Sequence, residues 1–116
     1  FTMKQINNSF LEVKKSKFYG YLYEINSIEE VQEILDEIKK NNKKCKHIVY
    51  SYILNSCEKL FTDKEPSGST IGLLNTLKRN NLNSHLIIVV RYFGGTLLGS
   101  GPLTRTYSKV SNNLVK

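Results

Sequence analysis

Cysteine is scarce in this chain of 116 residues, and the two cysteines form no recognisable ligand set. Cys45 and Cys57 make no CxxC pair, and neither His47 nor His85 completes a metal-ligand spacing with them. The pattern argues against a disulfide scaffold and against a structural zinc site, and we expect no bound metal. Both cysteines are predicted to be reduced thiols of a cytoplasmic protein.

Long apolar runs are also missing. No segment approaches the ~20 residues that a membrane-spanning helix needs, and no signal peptide is visible. We therefore expect no membrane association and one domain over residues 1–116, which is long enough to bury a core without disulfides or metal. Because Met3 is a plausible natural start, we interpret Phe1 and Thr2 as an expression remnant.

Acidic residues are few in the second half of the chain. Residues 1–58 carry nine lysines and eight acids, whereas residues 59–116 carry eight lysines and arginines against only Asp63 and Glu65. Most of the net charge of +7 therefore lies in the half that also contains a glycine-rich stretch. Such an excess favours an anionic partner, nucleic acid or a phosphorylated ligand. The alternative is a solvated lysine-rich surface of the kind that AT-rich genomes encode.

Hydrophobic periodicity predicts seven elements in the order ββαβαβα. β-Prone runs indicate strands, and apolar residues at helical spacing indicate helices, the clearest of which begins at a capping box of Ser27 and Glu30. Pro102 is expected near the first position of the last helix. The predicted strands are residues 9–13, 18–25, 47–54 and 86–90, and the predicted helices are residues 27–40, 71–79 and 102 onward. Residues 55–62 are interpreted as a turn or short extension. We expect an α+β sandwich with a four-stranded mixed sheet packed with helices.

Tyrosines alternate along the second predicted strand. Tyr19, Tyr21 and Tyr23 are expected on one face, with Phe18 and Leu22 on the other. Proteins that bind single-stranded nucleic acid stack bases on rings of this kind. More often such a row is covered by a helix or forms ordinary strand surface, and we favour that interpretation.

A glycine-rich loop follows the most apolar strand and precedes the last helix. Glycine lets the backbone approach an anion closely, and the N-terminus of a helix adds partial positive charge. Arginines at both ends of the loop could grip a phosphate. The alternative is a tight strand-to-helix turn without a ligand. The candidate anion- or nucleic-acid-binding residues are Arg91, Gly94, Gly95, Gly99, Gly101 and Arg105.

A second polar loop contains the two acids of the basic half. Its sequence DKEPSG is rich in turn-forming residues, and Ser67 is expected to cap the helix that follows. The carboxylates of Asp63 and Glu65 could bind a metal or act as acid and base. We favour a supporting role, in which Glu65 pairs with Arg91 or Arg105 and holds the glycine loop in shape. The supporting loop comprises Asp63, Glu65, Ser67 and Gly68.

Three further side chains are candidates for the rim of this site: His47, Tyr92 and Tyr107. A triad of Ser67, His47 and Asp63 is conceivable, but no GxSxG nucleophile elbow is present. A catalytic histidine also needs a partner within hydrogen-bond reach, which the sequence does not establish. We assign no catalytic residue and lean against an enzyme.

Four segments, in the same order along the chain, resemble the Impact/YigZ family, which carries the Impact N-terminal domain. The family signature RYFGG–LG-G-L-RAY is similar to RYFGGTLLGSGPLTRTY here, and the other three segments are KKSKFYGYL, KHIVYSY and TDKEPSGST. The resemblance runs from about Lys14 to Tyr107. It departs from the family pattern at Lys64 and Pro102, where the family usually has glycine, and at Ser51, Thr70, Ile71 and Thr106.

The resemblance implies a fold like the second domain of ribosomal protein S5. It also implies that bacterial relatives carry a second, ferredoxin-like domain, which we expect this chain to lack, as a fragment or as a minimal member of the family. Eukaryotic relatives are expected to regulate translation through protein partners. No enzymatic activity or cofactor is implied. The preferred hypothesis is a non-enzymatic module linked to regulation of translation, with RNA, DNA, the ribosome or translation factors as partners. The alternatives are an enzyme or binding protein for a phosphorylated small molecule, and a protein-binding translation regulator.

Overall fold

The computed structural model describes residues 5–116, so the interpretation of Phe1 and Thr2 lies outside the described residues. Across these described residues the chain forms five strands and three helices. In chain order they are β1 (Gln5–Val13), β2 (Ser16–Glu24), α1 (Ile28–Asn41), β3 (His47–Leu54), β4 (Cys57–Phe61), α2 (Ser67–Arg79), β5 (His85–Tyr92) and α3 (Ser100–Asn113). The predicted α+β class is confirmed.

The sheet differs from the prediction in strand number and in direction. It has five strands in the order β1-β2-β5-β3-β4, and every neighbouring pair is antiparallel. The prediction of four strands and a mixed sheet was wrong. The missed strand, β4, is an edge strand whose five residues are all exposed, so it lacks the alternation that identifies a half-buried strand. A tight turn with positive φ at Asn55 and Ser56 joins it to β3.

Helices cover both faces of the sheet. Helix α1 packs on one face through Val31, Ile34, Leu35 and Ile38, whereas α2 and α3 pack together on the other. Because β5 lies in the middle of the sheet, both of its faces are buried, which explains why its sequence is a continuous apolar run.

The helix starts differ from the sequence-based expectations at two places. Ser27 caps α1 as predicted, since its side chain accepts the Glu30 N–H at 3.1 Å, whereas the Glu30 carboxylate accepts the N–H of Asn26 and not that of Ser27. Helix α2 begins at Ser67, so Ser67 is its first residue and not its cap; Pro66 occupies the cap position without a side-chain hydrogen bond. Helix α3 begins at Ser100, which makes Pro102 its third residue.

Two glycines set the spacing between α2 and α3. A Cβ built on Gly68 would lie 2.7 Å from the Thr104 side chain, and one on Gly72 would lie 2.3 Å from Ser108 Oγ. The helices therefore pack closely along this seam. Since α3 is held tightly against the start of α2, its Tyr107 reaches the loop that precedes α2.

Candidate functional site

The register of three neighbouring strands aligns a row of functional side chains. Arg91 near the end of β5 lies opposite Phe18 of β2 on one side and opposite His47 of β3 on the other. Each of the three lies two residues or a multiple of two from a core residue of its own strand that faces α2 and α3, so it lies on the same face as that residue. The row therefore lies on that face of the sheet, beneath the loop that leads into α2.

Glu65 is the centre of a buried hydrogen-bonded group, which we call the charge cluster: Glu65, Arg91, His47 and Tyr107. Arg91 Nη1 donates to both carboxylate oxygens of Glu65, at 3.1 Å and 2.9 Å. The Tyr107 hydroxyl donates to Oε2, and His47 Nε2 lies 3.3 Å from Oε1. The pairing of Glu65 with Arg91, one of the two alternatives offered by the sequence, is the one that the structure contains.

The charge cluster is buried in the fold, so its charged groups must compensate each other. The side chains of Arg91 and Glu65 are only 6% and 5% exposed, so each ion needs the other for compensation. The Arg91 guanidinium also lies 5.6 Å from the centre of the Phe18 ring, a cation–π distance. Burial raises the pKa of Tyr107 well above its usual range, and the hydrogen bond to Glu65 raises it further, so this hydroxyl remains a donor.

Asp63 has a structural role beside the charge cluster. Its Oδ2 accepts the backbone N–H of Ile48 at 2.7 Å and lies 3.7 Å from His47 Nδ1. His47 is therefore flanked by two carboxylates, one near each ring nitrogen. Within residues 5–116, no group of three or more histidine, cysteine or acidic side chains is arranged to hold a metal ion.

The structure requires glycine at some of the four glycine positions of the loop and not at others. A Cβ on Gly94 would lie 2.1 Å from the Lys15 backbone, because the loop crosses the β1–β2 turn at this point. Gly95 adopts a φ of +92°, a left-handed conformation that favours glycine. Gly99 and Gly101, at the start of α3, are exposed and have no comparable constraint. The first two glycines are required by the fold, whereas the second two leave the backbone accessible.

A cavity of about 320 Å³ lies between the charge cluster and the glycine loop. Its polar side contains part of the charge cluster, and its other side is apolar. The lining residues are Lys46, His47, Glu65, Arg91, Phe93, Leu97, Leu98 and Leu103. Arg91 Nε is buried without a hydrogen-bond partner among the described residues. The sequence analysis did not include Lys46 or the apolar residues of this cavity among the candidate site residues. Phe93 and Leu97, two apolar residues on either side of Gly94 and Gly95, could have indicated an apolar side to the site, and both are exposed in the structure.

Other predicted site residues lie apart from this cavity. Tyr92 follows Arg91 in β5, so its side chain points to the opposite face of the sheet, where it lines a different pocket. Arg105 is exposed in the second turn of α3, beside Gly101, and makes no ion pair with any residue from 5 to 116. Ser67 is exposed at the start of α2, and Gly68 packs against α3. The predicted residues therefore form a buried centre and a separate periphery.

Lysines surround the same end of the sheet. We call them the basic rim: Lys14, Lys15, Lys17, Lys43, Lys44 and Lys46, all of them exposed. Lys17 lies opposite Tyr92, and the backbone N–H of Lys46 donates to the Arg91 carbonyl at 2.7 Å, so the two lysine loops flank the end of β5. Strands are about 4.8 Å apart, which places these loops within about 10 Å of each other. Glu12, opposite Lys17, is the acid nearest to them in the sheet register.

Helix length and polarity argue against a membrane span anywhere in residues 5–116, since none of the three helices is both long and apolar enough. The candidate site consists of a buried charge cluster, an adjacent cavity and an exposed basic rim.

Comparison with known proteins identifies relatives across bacteria and eukaryotes. An IMPACT family member of Bacillus subtilis, YvyE, is 34% identical over 113 residues, which cover 94% of this chain and 52% of YvyE. YigZ of Escherichia coli is 26% identical over 90% of this chain and 54% of its own length. The IMPACT homologue of Dictyostelium discoideum is 33% identical over 74% of this chain and 27% of its own length. The chain spans about half the length of the bacterial relatives.

Two solved structures share the fold. The crystal structure of a hypothetical protein superimposes with a TM-score of 0.85 at 22% identity, over 97% of this chain and 59% of that one. The two-domain translational regulator Yih1 superimposes with a TM-score of 0.51 at 16% identity, over 97% of this chain and 45% of Yih1. The family model of the Impact N-terminal domain matches residues 14–115. The chain therefore belongs to the Impact N-terminal domain family.

Proposed function

We propose that this domain is a non-enzymatic module that binds nucleic acid, either free or as part of the ribosome, through the basic rim. We further propose that this binding contributes to the regulation of translation. The observation that carries the proposal is the arrangement of six exposed lysines around one end of the sheet, on the β1–β2 turn with the start of β2 and on the loop between α1 and β3, which together flank β5. Lysines grouped in this way attract phosphates and release counterions when phosphates bind.

We do not include Arg91 in the proposed contact surface. Its guanidinium is buried and paired with Glu65, so it contributes little free charge to a ligand at the surface. The exposed lysines have no such partner at short range within residues 5–116, and Arg105 with Gly99 and Gly101 adds an exposed helix N-terminus at the same end. The basic rim and the start of α3 therefore form the proposed binding surface.

The family supports the link to translation. Yih1, which shares the fold, is described as a two-domain translational regulator, and the eukaryotic relatives are IMPACT proteins. Because this chain corresponds to about half of a bacterial relative, we propose for it the binding step and not the complete regulatory activity. A cytoplasmic location agrees with this proposal.

Binding of a labelled single-stranded RNA, measured by fluorescence anisotropy at about 50 and about 200 mM salt, tests the proposal. The test variant replaces Lys17, Lys43 and Lys44 by glutamine. We expect its affinity to fall about tenfold or more and its logarithmic salt slope to decrease by about 2, since three phosphate contacts are lost. Its thermal stability should not change, because the three side chains are exposed.

The matched control removes the same charge elsewhere. Lys59, Lys109 and Lys116 are exposed and lie outside the basic rim, so replacing them by glutamine should change the affinity less than about threefold. Equal weakening by the two triple variants would show that only net charge matters. Absence of salt-sensitive binding by the wild-type domain at micromolar concentration would overturn the proposal.

The cavity supports a second candidate, binding of a phosphorylated small molecule. Its volume of about 320 Å³ lies at the lower end of the range of ligand pockets, and its polar side presents Lys46, His47 and the paired side chains of Glu65 and Arg91. A ligand there should raise the unfolding temperature in a screen of nucleotides and sugar phosphates. A screen without any shift would reject this candidate and leave the basic rim proposal unchanged.

A further inference from the structure

We propose that the face of the sheet opposite the charge cluster is a stacking surface for the unpaired bases of a single-stranded nucleic acid. The surface, here the aromatic platform, consists of Phe10, Tyr19 and Tyr92. The inference deepens the proposed function, on which it rests, by naming a single strand as the partner and a second contact surface beyond the lysines.

The rings of the aromatic platform form a continuous row across three strands. Phe10 of β1 lies directly opposite Tyr19 of β2, with ring centres 4.9 Å apart. Tyr19 in turn meets Tyr92 of β5 at 5.8 Å in an edge-to-face arrangement. Two members of the row, Tyr19 and Tyr92, line an open pocket of about 360 Å³ together with Lys17, Tyr21 and Asn42. Flat rings beside an open pocket suit nucleobases, because every base offers a π-face for stacking.

Helix α1 leaves the aromatic platform accessible. The helix covers Tyr23 completely. It ends at Asn41, before it reaches the end of the sheet where the lysines lie. At that end Tyr19, Tyr21 and Tyr92 are therefore only half-buried. Phe10 is 48% exposed on the edge strand. The Tyr92 hydroxyl donates to the Asn42 side chain just beyond the helix, which fixes the orientation of that ring. Both forms of the interpretation favoured from the sequence are therefore present: Tyr23 is covered by the helix, whereas Tyr19 and Tyr21 form half-exposed strand surface.

Charge favours a nucleic acid as the occupant. Lys17 lines the pocket itself, and Lys43 and Lys44 follow Asn42, which also lines it. Aromatic rings for bases and lysines for phosphates are therefore adjacent, as they are in proteins that bind single strands. Burial raises the pKa of both Tyr21 and Tyr92, so their hydroxyls stay neutral and add no repulsion toward phosphate.

A second aromatic group on this face lacks the same surroundings. Tyr50 and Phe61 stack at 5.2 Å next to a groove of about 300 Å³, but that groove contains the carboxylate of Asp63 and one lysine, Lys39. The lysine loops flank the aromatic platform instead. Tyr50 and Phe61 therefore provide a matched control for the loss of exposed aromatic area.

The experiment compares two single strands of equal length and charge, oligothymidylate and an abasic oligonucleotide. The wild-type domain should bind the thymidylate strand about tenfold more tightly, since only that strand can stack. The double variant Phe10→Leu, Tyr19→Leu keeps apolar volume but removes two rings, and it should bind both strands with similar affinity. The double variant Tyr50→Leu, Phe61→Leu should retain the preference of the wild type. Thermal unfolding of each variant verifies that it is folded.

The outcomes separate this inference from the proposed function. Equal binding of both strands by the wild-type domain would overturn the aromatic platform and leave the basic rim intact, whereas binding of neither strand would overturn both. Loss of the preference in the Tyr50 and Phe61 variant alone would assign stacking to that group and refute the aromatic platform. Glu12→Gln adds a positive test: it removes the carboxylate opposite Lys17 and should tighten binding of both strands about twofold.

Discussion

The charge cluster and the basic rim lie side by side at one end of the sheet, yet their positive charges have different consequences. In the charge cluster, Arg91 is buried and compensated by Glu65. In the basic rim, six lysines are exposed to solvent. A buried cation needs an internal partner because its desolvation is costly, whereas an exposed lysine keeps its hydration and remains free for an external anion. Proximity of a cation to a glycine loop therefore does not by itself identify a binding residue.

The chemistry of the two side chains agrees with this division. The planar guanidinium of Arg91 donates through Nη1 to both oxygens of Glu65 and lies near the Phe18 ring, and a guanidinium is less strongly hydrated than an ammonium, which suits it to burial. The lysines of the basic rim are flexible, strongly hydrated point charges. We accordingly expect substitutions in the charge cluster to change stability and substitutions in the basic rim to change binding.

The largest effect is expected from Glu65→Leu. Removing the carboxylate leaves the Arg91 guanidinium buried and unpaired, which should lower the free energy of unfolding by about 3–5 kcal/mol. Urea denaturation followed by circular dichroism measures this loss. The double variant Glu65→Leu, Arg91→Met is the control, since it removes both charges and should be more stable than the single variant. A loss below about 1 kcal/mol in the single variant would contradict the role assigned to the charge cluster.

Gly94→Ala should have the next largest effect. Its Cβ would overlap the Lys15 backbone at 2.1 Å, so the glycine loop would have to move away from the β1–β2 turn. We expect a loss of about 3 kcal/mol by urea denaturation. Gly101→Ala is the comparison and should lose much less stability. The nearest atom to its added Cβ is the movable Nη1 of Arg105 at 3.3 Å, and alanine favours a helix more than glycine does. Equal losses at both positions would show that the loop is not anchored at Gly94.

Tyr107→Phe tests the charge cluster by pH. The loss of the hydrogen bond to Glu65 should cost about 2 kcal/mol at neutral pH. Because burial raises the pKa of Tyr107 in the folded state, its stabilising contribution is fully present below about pH 10, the pKa of an unfolded tyrosine, and is lost as the pH rises further. Urea denaturation across alkaline pH should therefore show a shallower decline for the variant than for the wild type.

Tyr23 serves as the internal reference for this measurement. Burial raises the pKa of Tyr23 to about 12, so Tyr107→Phe should still lose stability between about pH 10 and pH 12. An unchanged alkaline slope in Tyr107→Phe would contradict the burial of a neutral Tyr107 in the charge cluster.

The smallest effect is expected from Lys64→Gly. Lys64 has a φ of 67°, a left-handed conformation that glycine adopts without a Cβ penalty. The substitution should raise the free energy of unfolding by about 0.5–1 kcal/mol, measured by urea denaturation. Since Lys64 lies outside the basic rim, RNA affinity should change less than about twofold. A destabilised variant would show that the lysine stem contributes packing that outweighs the strain.

Local sequence predicted more of the fold than of the site. The Ser27 cap of α1, the alternation of Tyr19 with Phe18 and the apolar run of β5 each follow from short-range patterns. The pairing of Glu65 with an arginine was also predictable, because a carboxylate in a basic half of the chain needs a partner. The edge strand β4 was not, since an exposed strand owes its formation to hydrogen bonds with β3 and shows no pattern of its own.

By itself, the sequence determined seven of the eight elements, the family membership and the concentration of charge in the second half of the chain, because these can be recognised from local patterns of residues. Only the tertiary structure decided between Arg91 and Arg105 as the partner of Glu65, and only it placed Tyr92 on the face opposite the charge cluster. The same holds for the basic rim, whose two loops are separated by α1 in sequence but flank β5 in space. The physical reason is strand order and register, which result from packing over the whole sheet and are not encoded at any single position.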